Sequence, residues 1–441
     1  MSESNGSGMG GGGKCPFATR RGFLAAAGGL IAAVGAGPNA EAATDTKTVA
    51  AAKPETIVEP FWGRHQGGIV TQAQKHTYFA AFDLTAKNRA EIVELLKTWT
   101  AAAAQMTQGK PARPIGSDLS VPAGDSADAL DLSPARLTVT FGFGAGLFVK
   151  DGQDRYGLAA HRPAALVDMP RFNGDQLAQN LTGGDLSVQA CADDPQVAFH
   201  AVRQLARLAY DVAQLRYTQT GFLPNSPEGT TSRNLMGFKD GTQTPPEKPT
   251  ADNPLSRDDV VWVEAEGGDW MRDGSYLVFR RIRMALEHWD RTVVDFQEQV
   301  IGRRKYSGAP LGAEHEFDPL DLDATDKEGN PVIPDTAHVR LAAAASNDGA
   351  QIFRRGYAYN DGTNVTAERW PPWRQGLEYD AGLLFLSYQK DPRTGFIKIY
   401  ENMAKLDMLN QYTTHVGSGL FACPGGPAEG EFIGQRLFEK A

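Results

Sequence analysis

Ser275-Tyr276-Leu277-Val278-Phe279-Arg280-Arg281-Ile282-Arg283-Met284 reads as a β-strand, and apolar residues at Leu286, Trp289, Val293, Phe296 and Val300 directly after it mark an amphipathic helix. Further along, residues 351–359 and 382–388 read as strands and 396–409 as a helix. The first half has the same grammar. Residues 75–84 alternate apolar and polar as a strand does, and 86–106 carry Ile92, Val93, Leu96 and Trp99 at helical spacing. Residues 136–143 place Leu137, Val139, Phe141 and Phe143 on one side of a strand. Asp194-Pro195 then caps and opens a helix with the stripe Phe199, Val202, Leu205, Leu208 and Val212. A β-α-β then β-α-β order, given twice, predicts an α+β chain. Its two ferredoxin-like units, 59–235 and 236–441, have antiparallel sheets and peripheral helices, not a doubly wound parallel sheet.

The first 42 residues differ from everything after them. A glycine-rich lead, Gly6 to Gly13, is followed by Thr19-Arg20-Arg21-Gly22-Phe23-Leu24, a weakly apolar Ala/Gly run and small residues at Ala40 and Ala42. This resembles a twin-arginine export signal with an Ala-x-Ala cleavage site, joined by a linker of 43–58 to the folded part. The apolar run is too short and too broken by glycine to span a bilayer, so export to the periplasm or exterior is expected, without stable membrane insertion. The whole chain has 441 residues, 41% hydrophobic and 22% charged, with a net charge of -9 and no long basic run. Those values argue against nucleic acid or an anionic membrane as partner and favour a small molecule, while leaving room for a homo-oligomer. Of three cysteines, Cys15 lies in the leader. Cys191 and Cys423 define no disulfide by spacing, and no CxxC suggests zinc.

Two long irregular stretches, 221–254 and 302–336, are rich in loop residues, and segments of this kind in a folded domain are usually functional. The first holds Gly237-Phe238-Lys239-Asp240-Gly241-Thr242; the second ends just before Ala337-His338-Val339-Arg340. Phe353-Arg354-Arg355-Gly356-Tyr357 follows. Together they supply an acid, an iron ligand and a cation, the parts a haem peroxidase needs: a basic side chain on one face of the iron, and on the other a proton acceptor beside a positive charge. The absence of C-x-x-C-H means that any haem is held without thioether bonds. Successive strand residues face opposite ways, so only one of Arg354 and Arg355 can point at the iron.

Gly237-x-x-Asp240-Gly241, His338 in His-x-Arg and Arg354 in Phe-Arg-Arg-Gly-Tyr, 16 residues beyond His338, resemble the dye-decolourising peroxidase family, in particular its twin-arginine-exported, deferrochelatase-like branch. Phe61-Trp62-Gly63-Arg64-His65-Gln66-Gly67-Gly68-Ile69, Gly184-Asp185-Leu186, Gly382-Leu383-Leu384-Phe385 and Tyr388-Gln389-Lys390-Asp391-Pro392 also look like family segments in family order, from about Pro60 to the C-terminus. The resemblance implies haem b, bound non-covalently in the C-terminal unit, with His338 as proximal iron ligand, Asp240 as distal acid/base and Arg354 as stabiliser of developing charge. Leu383 and Phe385 would line the distal face. Asp391 is the candidate carboxylate behind His338, although a helix N-cap before Pro392 is an equal reading. Propionate partners are expected from the loop after Asp240, at Gly241 and Thr242, and from arginines such as Arg340.

The implied activity is reduction of hydrogen peroxide with oxidation of dyes, phenolics or other aromatic donors, and the alternative is a deferrochelatase that releases iron from haem. An aspartate's ordinary pKa of about 3.9 makes an acidic optimum the expectation. One departure stands out: the family commonly has asparagine where this chain has Thr244, which puts a hydrogen bond from that loop in doubt. Electrons from bulky donors would arrive through surface aromatics, with Trp370, Trp373, Tyr357 and Tyr359 near Arg354 in sequence.

Overall fold

A computed structural model of the chain describes residues 57–227, 229–250, 253–264, 270–367 and 375–440. The expected export signal, most of the expected linker, and Trp370 and Trp373 therefore lie outside the described residues.

Nine strands are described, all paired antiparallel: β1 (His76–Leu84), β2 (Thr138–Gly144), β3 (Leu186–Ala192), β4 (Ala213–Phe222), β5 (Ser275–Met284), β6 (Phe353–Arg354), β7 (Tyr357–Ala367), β8 (Gln375–Gln389) and β9 (Thr413–Cys423). In the first half the order is β2-β3-β1-β4 and in the second, leaving aside the two-residue β6 beside β8, β9-β5-β8-β7, so each half has its fourth strand, first, third and second in a row. This repeated order is the ferredoxin-like arrangement expected from the pattern. Residues Leu186–Ala192, Ala213–Phe222 and Thr413–Cys423 complete the two sheets, though periodicity did not single them out. β3 and nearly all of β9 are buried on both faces, which erases the alternation that identifies a half-buried strand.

The two sheets join at both ends: Phe143 and Gly144 of β2 pair with Ala422 and Phe421 of β9, and Phe222 of β4 pairs with Ala358 of β7. The strands thus close around a shared core. Phe79 of β1 stacks on Phe279 of β5 with ring centres 4.6 Å apart, and Tyr217, Leu277, Tyr357, Leu384, Leu386, Tyr388 and Phe421 pack with them. Cys191 and Cys423 are free and buried in this layer. The helices Arg89–Met106 and Pro195–Leu208 cover the outer face of the first sheet, where Trp99 packs on Phe82 and Phe141. Asn88 and Asp194 cap the two helices, each accepting first-turn backbone N–H groups. In the second helix Val197, Ala201, Val202 and Leu205 form the buried stripe, whereas Phe199 of the expected stripe is exposed.

The single helix expected after β5 is two short pieces, Leu286–Trp289 and Val294–Ile301. The break frees the carbonyls of Trp289 and Thr292, and Gln297 Nε2 donates to both, at 2.8 and 3.0 Å. Val293, counted in the apolar stripe, is instead exposed at the break.

Because Phe79 is fully buried in the layer between the sheets, Phe79→Ala is expected to destabilise the fold by about 3–5 kcal/mol, the usual cost of deleting a buried ring. Chemical denaturation of the variant against the parent chain measures it.

Candidate active site

β8 separates the two sides of the second sheet. Leu384, Leu386 and Tyr388 point into the shared core, and Leu383 and Phe385, at alternate positions, point to the outer face. Arg354 pairs directly with Ser387, which puts it on the same outer face as Phe385 and Leu383. Arg355 goes the other way: it is buried, donates through its guanidinium to the Thr71 carbonyl and the Gln74 side chain, and has no carboxylate partner among the described residues. Strand geometry thus separates the two neighbouring arginines as expected.

Arg354 Nη1 donates to Asp240 Oδ1 at 2.9 Å, across 114 residues of sequence. Both side chains are about 30% exposed, so the pair is partly sheltered yet reachable. Asp240 sits at the end of a tight reversal in which its N–H donates to Ser232 O and Asn234 Oδ1 accepts from the N–H groups of Met236 and Phe238. Beyond it, Gly241 has φ +114°, a conformation side chains rarely adopt. Thr242 Oγ1 donates to Glu316 Oε1 at 3.1 Å, and Lys239 forms an ion pair with the same carboxylate. Glu316 comes from the second loop-rich stretch, so the two irregular segments lock each other. Thr244 Oγ1 donates to Gly241 O at 3.0 Å, so the loop keeps a hydrogen bond to its own backbone despite the threonine.

His338 opens a short helix, His338–Ala342. The approach to it is fixed by Gly302, at φ +89°, where a Cβ would lie 2.5 Å from Val339 Cγ2. His338 Nδ1 donates to Asp407 Oδ2 at 2.7 Å, and Asp407 is almost fully buried, 2% exposed at the side chain. Burial pulls the imidazole pKa down, but the charge and hydrogen bond of Asp407 outweigh it, and the net direction is up from the ordinary histidine value. Arg354, lowering, and Asp240, raising, also act on this imidazole.

The carboxylate behind His338 is therefore Asp407 and not Asp391. Asp391 pairs with Arg393 at 2.6 Å and accepts the Arg393 backbone N–H, the capping role. Nothing in the sequence marks Asp407; it lies 69 residues from His338 and its local task is also a cap, accepting from Leu409 N at 2.8 Å. Arg340 spends Nε and Nη2 on the Ile333 carbonyl, at 2.9 and 2.7 Å, steadying the loop before His338. Tyr357 and Tyr359 are each 1% exposed and belong to the core between the sheets.

The donor set fits haem. An imidazole fixed through Nδ1 leaves Nε2 to an axial metal, and a buried carboxylate on the far nitrogen makes it a stronger donor. Leu383 and Val339 add apolar surface of intermediate exposure, and Asp240 with Arg354 adds a carboxylate paired with a positive charge.

Two family profiles match the chain: Dyp-type peroxidase, N-terminal, over residues 66–223, and Dyp-type peroxidase, C-terminal, over 231–428. The chain is 37% identical to the dye-decolorizing peroxidase of Thermobifida fusca over 96% of its own length and 97% of that protein. It is 33% identical to the deferrochelatase of Escherichia coli, covering 93% and 94% of the two chains. Among solved structures, a DyP-type peroxidase from Streptomyces coelicolor superposes with a TM-score of 0.77 at 42% identity, covering 88% of this chain and 100% of that one. Ferric DtpA from Streptomyces lividans gives 0.76 at 41% identity, with coverage of 88% and 100%. The chain belongs to the Dyp-type peroxidase family. It is a haem peroxidase, built from both of the family's halves.

Two outcomes follow from the anchors. Asp407→Asn should weaken haem binding by roughly 10–100-fold, the usual effect of losing the partner of an axial histidine, measured by titrating apoprotein and following the Soret band. Burial would raise the Glu316 carboxyl, but Lys239, Thr231 and Thr242 more than offset it and hold its pKa below the ordinary value. A depressed carboxylate stabilises above its unfolded pKa and loses that contribution as pH falls through the folded one. The melting-temperature advantage of the parent chain over Glu316→Gln should accordingly be present near neutrality and shrink as the pH is lowered through and below the carboxylate range.

Proposed function

We propose that this chain uses haem b to reduce hydrogen peroxide while oxidising dyes, phenolics or other aromatic donors, after export by the twin-arginine route to the periplasm or exterior. The observation that carries the residue roles is the Arg354–Asp240 ion pair, in a chain whose His338 imidazole is pinned by Asp407. Haem supplies, when bound, the two-electron redox chemistry with peroxide. His338, its Nδ1 engaged by Asp407, would hold the iron. Asp240 takes the proton from one peroxide oxygen at a carboxylate oxygen and delivers a proton to the other. Arg354, charged at every working pH, keeps the carboxylate oriented and faces the negative charge that develops as the O–O bond opens. Leu383 and Phe385 restrict what approaches, and Gly241 and Thr242 shape the loop that presents Asp240.

The related dye-decolorizing peroxidase supports the dye-oxidising reading. The similarity to deferrochelatases supports a second one, in which the same pocket takes haem and gives up its iron. Purified holoprotein given peroxide and an anthraquinone dye near the aspartate pKa, at about pH 4 to 5, should bleach the dye; release of free protoporphyrin with no bleaching would favour the second reading.

Asp240→Asn should slow the peroxide-driven change of the Soret band by roughly 100-fold or more, the scale of a positioned acid/base, as read by rapid mixing. Arg354→Leu should slow the same step. Arg355→Leu should instead lower thermal stability, because Arg355 serves the core between the sheets. His338→Ala should abolish the native Soret spectrum.

A further inference from the structure

The layer between the sheets holds reactive groups that the peroxide chemistry above leaves unused. Cys191 and Tyr388 are fully buried and Tyr357 is 1% exposed. Cys191 of β3, Thr77 of β1 and Gly221 of β4 are register partners, so they form one row on one face of the first sheet. Gly221 lets the second half come down on that row: a Cβ there would lie 2.7 Å from Tyr357 Cβ. Tyr357 of β7 therefore lies over the row, and its hydroxyl donates to the Cys191 sulfur at 3.5 Å. The sulfur also accepts from Gln189 Nε2 at 3.1 Å and gives its S–H to Thr77 Oγ1 at 3.4 Å. Tyr388 is no rival for it, because the Tyr388 hydroxyl donates to Gln189 Oε1 at 2.7 Å.

A cation completes the group. Arg355 is buried without a carboxylate partner among the described residues, and its Nε finds no acceptor. Burial pulls its pKa down, but Tyr357, Cys191 and Tyr388 more than offset this, and the net direction is up. A guanidinium held in this way favours loss of protons from the groups that hold it. Burial keeps the Tyr357 phenol well above its ordinary pKa, with Arg355 acting against it, so the phenol stays protonated until it is oxidised. Tyr357 is also close to the candidate site along the chain: it follows Arg354 by three residues, and its strand partner Leu384 adjoins Leu383. Out of reach of solvent, an oxidised Tyr357 meets the sulfur and not a dissolved donor.

We propose that peroxide turnover without a donor joins Cys191 to Tyr357 by a thioether bond, a self-made covalent tie between β3 of the first half and β7 of the second. This rests on the peroxidase reading above, which supplies the oxidant. One electron leaves Tyr357 for the peroxide-oxidised haem, and the hydroxyl proton leaves with it. The Cys191 sulfur then bonds to the ring carbon beside the phenol oxygen, where a phenoxyl radical carries unpaired spin, and its S–H proton is released. A second electron goes to the haem, the proton on that ring carbon is lost, and the hydroxyl is restored. One S–C bond forms while one S–H and one ring C–H break. The two electrons and two protons given up reduce one hydrogen peroxide to two waters. The tie spans 166 residues of sequence, so it restricts the unfolded chain and secures the join between the halves.

The test gives donor-free holoenzyme a few equivalents of hydrogen peroxide, then denatures, alkylates and digests it for peptide mass spectrometry. The Cys191 and Tyr357 peptides are expected as one species, lighter than their sum by two hydrogens, with Cys191 closed to alkylation and Cys423, buried in the same layer, still open. Tyr357→Phe, which keeps the ring, should leave Cys191 open, and Cys191→Ser should leave the Tyr357 peptide at its own mass. Apoprotein given the same peroxide should stay uncoupled. A parent holoenzyme whose Soret band answers peroxide while Cys191 stays open, or carries a sulfinic or sulfonic acid beside an unmodified Tyr357, would overturn this inference alone. So would coupling in the apoprotein. A Soret band indifferent to peroxide would overturn it together with the peroxidase reading.

Discussion

The alternation of side chains along β8 is the constraint on which the rest depends. One strand serves two environments: Leu384, Leu386 and Tyr388 fill the layer between the sheets, while Leu383 and Phe385 face the site. Because β6 pairs with β8 in fixed register, the same alternation decides which of two adjacent arginines meets Asp240. A slip of one residue would exchange them, placing Arg355 at the site and sending Arg354 into the apolar core. Catalytic placement and core packing are therefore one problem in this fold.

The remaining groups are held by irregular backbone made rigid through polar contacts. Glu316 ties the Asp240 loop to the loop before His338, and Arg340 clasps the Ile333 carbonyl within that second loop. Asp407, buried and bonded both to His338 and to the Leu409 N–H, sets imidazole orientation from a third segment. Three stretches far apart in sequence thus fix one ring and one ion pair. Such a site tolerates little rearrangement, which suits chemistry requiring groups held at set distances before reaction.

Much of this was legible in the sequence, and the boundary of legibility has physical causes. Amphipathic helices such as Arg89–Met106 carry periodic signals, and Asp194 announces a helix start. β3 and β9 are buried on both faces and lack that signal. The break at residues 290–293 is bridged by hydrogen bonds from Gln297 to the Trp289 and Thr292 carbonyls, which hydrophobic periodicity does not report. Motif resemblance pointed to His338, Asp240 and Arg354, but it offered Asp391 where Asp407 stands. A carboxylate partner 69 residues away is selected by packing, and its own neighbourhood reads as an ordinary cap.

The seam between the sheets bears on how the polypeptide matures. Thr413–Cys423 is synthesised after every other described strand, yet it pairs along the whole of β5 and also meets β2 from the opposite half. Until it emerges, both partners keep an unsatisfied edge. Closure of the two sheets on one another must therefore follow synthesis of that strand. Truncation near the carboxyl end would leave exposed, adhesive borders in both halves at once.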